Sequence, residues 1–197
     1  MTDNFFAYIS RMSYINRWSL MRSAIPENIQ GHSHMVAVIA HALAVIRRDV
    51  EGIDCDPNEY AAVALFHDSS EILTGDLPTP IKYHSAEIRD AYKQVEELAC
   101  RKLLDTLPQE MRSAYEPLLI GETHDRVYDL VKAADKLSAY IKCIEERRAG
   151  NDEFIQAEKQ TKAWLEECGL PEVEYFMKHF IPAFELTLDE LGTLEEN

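Results

Sequence analysis

Basic residues are scarce in this chain: 20 Lys and Arg stand against 35 Asp and Glu, a formal net charge of −15. That balance excludes long nucleic acids as expected partners, because their binding rests on Lys and Arg neutralising phosphates and releasing counterions. A small anion held in a local pocket stays compatible with it. Long apolar runs are also missing. The longest, Met35 to Ile46, is interrupted by His41 and falls short of the roughly 20 residues that cross a bilayer, so no membrane span is expected. The N-terminus carries Asp3, Phe5, Phe6 and Tyr8 instead of a basic segment followed by an apolar one, so no secretory signal is read and the cytoplasm is the expected compartment. The four cysteines, Cys55, Cys100, Cys143 and Cys168, form no C-x-x-C pair. Four reduced, mostly buried thiols are expected. Glycines (7) and prolines (8) are few and fall between periodic segments. No alternating β-branched run with hairpin turns appears, so the punctuation separates helices and the expected fold is all-α. A length of 197 residues suits a single domain.

The periodicity predicts where those helices lie. Phe5, Phe6, Ile9, Met12 and Ile15 outline a first amphipathic helix reaching Asn16, with Arg17 and Trp18 at or just beyond its end. Ser33 to about Arg48 carries Met35, Val36, Ile39, Leu43 and Ile46 on one stripe, widened by Val38, Ala42 and Val45, as expected of a largely buried core helix. Asp56 and Pro57 read as an N-cap and a first-turn proline, opening a helix that delivers His67 and Asp68 near its C-terminal part. Gly75, Pro78 and Pro80 force an irregular stretch from Leu73 to Tyr83, stiff enough to shape a pocket rim. Further helices are expected at Ser85 to about Leu104, Gln109 to Leu119, Arg126 to Ala149 with Gly150 as stop, Glu153 to Glu167, and Pro171 to His179.

The sharpest chemical feature is the adjacent pair His67-Asp68, followed by Glu71 four positions after the histidine and hence on its helical face. A neighbouring His and Asp ligate one ion only if they straddle the groove between helices, so further ligands must come from facing helices. His32 and Asp135, the latter inside the apolar run Leu130 to Leu137, are the obvious partners. Two imidazoles and two carboxylates suit a divalent transition ion such as Mn, Fe, Co or Zn, with positions open for water and a phosphate oxygen. Other titratable residues read as structural. His34 and His41 are expected in the core or an interface, His84, His124 and His179 lack ligand-like neighbours, Glu122 reads as a loop charge, and Glu145-Glu146-Arg147-Arg148 as a solvated helix end.

The order His32…His67-Asp68…Asp135 on helices resembles the HD superfamily of metal-dependent phosphohydrolases. The segments Ile15-Asn16-Arg17-Trp18, His67-Asp68-Ser69-Ser70-Glu71, Leu73-Thr74-Gly75-Asp76-Leu77-Pro78-Thr79-Pro80 and Lys132-Ala133-Ala134-Asp135 narrow this to a resemblance to the YfbR family of bacterial 5′-deoxynucleotidases. It runs from about Phe5 to Glu190.

The resemblance implies a homodimeric helical protein that hydrolyses deoxyribonucleoside 5′-monophosphates with one divalent ion, Co, Mn or similar. It implies one domain over 1–197, with a metal-binding core at about 28–140 and C-terminal helices at about 150–190 packed on it. His32, His67, Asp68 and Asp135 would hold the metal, His32, Asp68 and Asp135 also facing the substrate. Arg17 would orient the phosphate, Trp18 line the sugar, and Asp76, Leu77, Pro78 and Thr79 contact the nucleoside. Chemically, Glu71 suits activation of water and Asp76 protonation of the leaving oxygen, or the reverse, and Arg17 offers the planar fork a phosphate needs. One departure is Gly31, where many relatives have an acidic residue before the first metal histidine. The competing readings are an HD phosphohydrolase acting on another nucleotide phosphate ester, and a non-catalytic metal-binding scaffold.

Overall fold

The structure, a computed structural model, describes residues 3–82, 84–120 and 126–192. Among them it holds α1 (Phe5–Ile9), α2 (Ile29–Asp49), α3 (Pro57–Phe66), α4 (Glu71–Thr74), α5 (Thr79–Lys82), α6 (Ala86–Leu104), α7 (Gln109–Leu119), α8 (Arg126–Arg148), α9 (Ile155–Glu167) and α10 (Pro171–His179), with 3-10 turns at Ser10–Tyr14, Asp152–Phe154 and Ile181–Glu185. Strands are absent from the described residues apart from a lone antiparallel bridge between Asn16 and Asn28. The all-α expectation holds. Glu122 and His124 lie outside the described residues.

Local chemistry sets the boundaries. The Asn28 side chain accepts the Gly31 N–H at 2.8 Å and caps α2, so this helix starts at Ile29, ahead of the expected Ser33. Asp56 caps α3 by accepting from the Asn58 N–H, Ser85 caps α6, and Gly150, at φ +78, ends α8 where a left-handed residue is needed. The first helix is shorter than expected. It ends at Ile9 and tightens into the Ser10–Tyr14 turn, where the Ser10 and Ser13 hydroxyls donate back to the carbonyls of Ala7 and Ser10. Such side-chain bonds compete with continued α-helix.

α2 is the centre of the main core. Its Val36, Ile39, Ala40, Leu43 and Ala44 are buried against Tyr60 and Ala64 of α3 and against Leu130, Ala133, Ala134, Leu137 and Ile144 of α8. The alanines let the helices approach closely, since interaxial distance follows side-chain size at the contact. By length and composition α2 is long and apolar enough to cross a membrane, yet it carries this core and 56% of its apolar window is buried inside the fold. Its stripe is narrower than the sequence suggested. Met35 and Val38 are exposed, and His34 and His41 lie on that outer face and not in the core, because α3 and α8 cover only one side of the helix. A second cluster of Phe5, Leu103, Leu104, Leu107 and Leu119, with Phe66 and Tyr115 against it, joins α1, α6 and α7. The cysteine expectation stands: all four thiols are free, Cys100 and Cys143 buried and Cys55 and Cys168 partly so.

The end of α8 is not a solvated charge run. Glu146 is fully buried and accepts from the backbone N–H groups of Ala24 and Ile25 at 2.8 and 3.0 Å, from Asn151 Nδ2 at 2.7 Å, and from Lys142. Lys142 also donates to the Ile25 carbonyl. Arg147 pairs with Glu158 and Glu185. The 17–28 segment therefore lies fastened to α8, which the sequence concealed because the partners are more than 100 positions apart.

Candidate metal centre

Three helices deliver the candidate ligand set. His32 comes from the first turn of α2 and is fully buried. His67 is the C-cap of α3, and the chain turns from there through residue 70, so Asp68 leaves the helix axis and faces the same point as its neighbour. That turn is how adjacent residues straddle the groove. Asp135 comes from the middle of α8.

Their polar atoms converge. His32 Nε2 lies 3.1 Å from Asp135 Oδ1 and 3.5 Å from Asp68 Oδ2, and His67 Nε2 lies 3.1 Å from Asp68 Oδ2. One ligand atom each from His32, His67 and Asp135 fall within 4.8 Å of one another. His67 Nδ1 is 2.7 Å from the Ala64 carbonyl, and His32 Nδ1 is 3.2 Å from Ser138 Oγ. Donation from Nδ1 in both rings leaves each Nε2 as a lone pair, the tautomer a metal ligand needs. Both Nε2 atoms are buried without a hydrogen-bond partner. Unsatisfied buried nitrogens aimed at carboxylate oxygens fit a divalent ion, and the N/O donor set agrees with that fit.

The electrostatics follow from crowding. Burial pushes the Asp68 carboxyl up, but His67, then His32 and Arg17, together bring it well below the carboxylate range. Asp135 is likewise raised by burial and lowered further by His32 and Arg17, ending well down. His32 is held below its ordinary value by burial and by Arg17. For His67 burial works downward, yet Asp68 and then Asp135 leave it raised. Glu71, the first residue of α4, is pushed up to about 9 by burial and then by Asp68 and Asp76. Asp76 is raised by burial, with Arg17 opposing.

This cluster floors a cleft of about 810 Å³ whose rim includes Arg17, Trp18, Asp76, Leu77, Pro78 and Trp164. Arg17 lies with Nε 3.2 Å from Glu27, Nη1 3.4 Å from Asp68 and Nη2 3.9 Å from Asp135. Trp18 has φ +58, its indole N–H donates to Glu27 Oε2 at 2.9 Å, and its ring meets Phe154 edge-on at 5.2 Å. The Asp76 segment follows Gly75, whose φ of +73 a β-carbon would strain. Tyr92 of α6 donates to Thr74 and Lys82 of α5 pairs with Glu96, so α6 carries this rim. Every expected site residue with a described side chain thus gathers at one place: His32, His67, Asp68 and Asp135 at the floor, and Arg17, Trp18, Glu71, Asp76, Leu77 and Pro78 around it. The Thr79 side chain lies outside the described residues. Gly31 is exposed, with open space where a side chain would stand apart from Asn28 Oδ1 at 3.5 Å, so no ligand position is lost there. The sequence reading missed Glu27 and the α9 wall of Gln156, Gln160 and Trp164. Glu27 sits in a polar Pro-containing loop, and only the Asn16–Asn28 bridge that closes this loop places it against Arg17.

A helical bundle with this His, His-Asp, Asp set beside an arginine defines the class: an HD-domain, metal-dependent phosphohydrolase. The HD-domain phosphohydrolase of Listeria innocua superposes with a TM-score of 0.80 at 25% identity, over 92% of this chain and 88% of that one. A cyanophage S-2L HD phosphohydrolase, solved bound to dA and one catalytic Zn²⁺ ion, shares the fold at a TM-score of 0.60 and 22% identity, over 92% and 96% of the two chains. Within the class the chain belongs to the YfbR-like 5′-deoxynucleotidase family, whose model matches residues 4–184. The 5′-deoxynucleotidase of Vibrio cholerae is 50% identical over 191 residues, 96% of this chain and 98% of that one.

Proposed function

We propose that this protein hydrolyses deoxyribonucleoside 5′-monophosphates to deoxynucleoside and phosphate, with His32, His67, Asp68 and Asp135 holding one divalent ion of the Mn or Co type. The observation that carries this reading is the pair of orphaned imidazole nitrogens facing two carboxylates directly beside the Arg17 fork. The ion supplies Lewis-acid charge for the phosphoryl group when bound. The chain's own residues do the rest. Arg17 offers two Nη groups to the phosphate dianion, which a surface of net charge −15 otherwise repels. Glu71 takes the proton of the attacking water as its oxygen bonds to phosphorus. The bond from phosphorus to the 5′-oxygen breaks, and Asp76 gives that oxygen its proton; the converse assignment exchanges the two carboxyls. Glu71 keeps its proton at neutral pH in the cation-free protein, and added positive charge near Asp68 favours release of that proton, as a base requires. Trp18 lines the sugar, while Leu77, Pro78 and Thr79 contact the nucleoside.

The reading extends to a single domain with its metal-binding core at about 28–140, to a cytoplasmic location and to a homodimer. The exposed Met35 and Val38, with partly buried Val45 beside them, leave an apolar strip on α2 that supports the dimer. Phosphate release from a panel of deoxy- and ribonucleoside monophosphates tests the activity. A kcat/KM for dAMP well above that for AMP is expected, and Trp18→Ala should narrow the gap, an apolar wall being worth on the order of 10² against an added hydroxyl. A wild-type ratio near one would remove the assignment in favour of another phosphate ester.

A further inference from the structure

Glu27 touches more of the cleft's machinery than any role above uses. Its Oε2 accepts from the Trp18 indole N–H at 2.9 Å and lies 3.2 Å from Arg17 Nε, and its backbone carbonyl accepts the Arg17 N–H at 3.0 Å. Its Oε1 is 3.9 Å from His32 Nδ1. The guanidinium is held unequally. Nε lies nearest a carboxylate, 3.2 Å from Glu27 in an ion pair without hydrogen-bond geometry, whereas Nη1 donates to Asp68 at 3.4 Å and Nη2 stands 3.9 Å from Asp135, both long for charge-assisted bonds. Glu27 thus sets its charge against the one-nitrogen side of the group, and the longer contacts, which an incoming oxyanion could replace, are on the paired side. Trp18 has a matching need for restraint. A bulky residue at positive φ stays there only when its surroundings over-determine it, and its side-chain restraints are Glu27, the Phe154 edge and Arg17, whose Cζ lies 5.9 Å from the ring centroid.

We propose that Glu27 is a positioning residue that fixes the phosphate fork and the sugar wall to one carboxylate. Selection at the sugar is then made on a nucleotide whose phosphate is already placed. This rests on the reading of Arg17 and Trp18 as substrate residues.

Two variants separate the indole hydrogen bond from the Arg17 ion pair. Glu27→Gln keeps an oxygen that accepts from the indole N–H but withdraws the charge from Arg17, and Glu27→Ala removes both. KM for dAMP is expected to rise about fivefold in each, the scale of one ion pair, with kcat changed less. The ratio of kcat/KM for dAMP over AMP should hold in Glu27→Gln and fall towards the Trp18→Ala value in Glu27→Ala. A second readout needs no turnover. In ¹⁵N-labelled, metal-free protein the Trp18 indole N–H, assigned with Trp18→Phe, should exchange slowly with solvent in wild type and Glu27→Gln and quickly in Glu27→Ala.

An Ala variant with wild-type KM and ratio overturns the proposal, as does a Gln variant that loses selectivity while its indole N–H stays protected. Should the Ala variant fail to fold, Glu27→Gln decides alone: raised KM with an intact ratio supports the role, and unchanged KM ends it. A wild-type ratio near one would instead defeat the deoxynucleotidase reading and this inference with it, so the two failures are told apart before any variant is made.

Discussion

Two carboxylates on α8 meet opposite fates. Glu146 is enclosed by donors: two backbone N–H groups, an amide and an ammonium, which outweigh burial and bring it down to about 2. Asp135, three helical turns earlier on the same helix, faces a histidine nitrogen with no hydrogen-bond partner and an arginine at 3.9 Å. The first arrangement is complete within the protein. The second leaves a buried nitrogen unsatisfied, which fits the ion proposed for it. Burial alone therefore does not distinguish a structural charge from a working one; the distinction lies in whether the surrounding polar atoms are satisfied.

The largest expected effect concerns the incomplete cluster. Asp135→Ala should cost about 10³-fold or more in turnover at saturating metal, since several kcal/mol of charge stabilisation depend on the ion. Chelation of wild type should reproduce the loss, with Mn or Co restoring activity better than Mg because imidazoles favour transition ions. Phosphate release measures both. Full activity in metal-stripped protein would break the comparison at once. Glu71→Ala comes next, with a loss in kcat of about 10² to 10⁴ and little change in substrate affinity. A collapse of affinity at constant kcat would make Glu71 a binding residue.

Glu146→Ala should act on the fold instead, lowering stability by about 3–5 kcal/mol because it strands the buried Lys142 ammonium. Urea unfolding of metal-free protein measures it, and KM should rise as the 17–28 segment loosens. If Asp135→Ala destabilised the metal-free protein equally, the contrast between the two carboxylates would vanish. The smallest effect is a slope. Glu71 holds its proton to about pH 9 when folded, against an ordinary 4.5. The folded state thus binds the extra proton between those values, and its stability should decline as pH rises from about 5 to 9. Glu71→Gln should flatten that decline in urea unfolding of metal-free protein, and an unaltered slope would assign the proton elsewhere.

The legible parts of this molecule are those whose determinants are local. α7 and α10 run over their expected spans, and α6 begins at its Ser85 cap, because caps, prolines and period sit side by side in the chain. The four clustered residues proposed as ligands were legible through their residue types and order, and the resemblance pointed to Arg17 and Trp18 beside them. What escaped depends on distant partners. Glu146 looked solvated because Ala24 and Ile25 are far off in sequence, and Glu27 went unread because a loop closure brings it to Arg17. α2 began early because Asn28, between Pro26 and Gly31, reads as loop until its side chain is seen capping the helix.

Trp18 carries the cost of its own backbone. A left-handed residue other than glycine or asparagine gives up about 1–2 kcal/mol, so Trp18→Gly relieves strain while erasing the proposed sugar wall. Selection for folding and selection for discrimination thus pull this position in opposite directions. A variant library at position 18 sorted only for thermal tolerance should accumulate Trp18→Gly and Trp18→Asn. The same library sorted for preference between dAMP and AMP should keep the tryptophan. Identical winners from both sorts would mean that this strain has no bearing on how the sequence drifts.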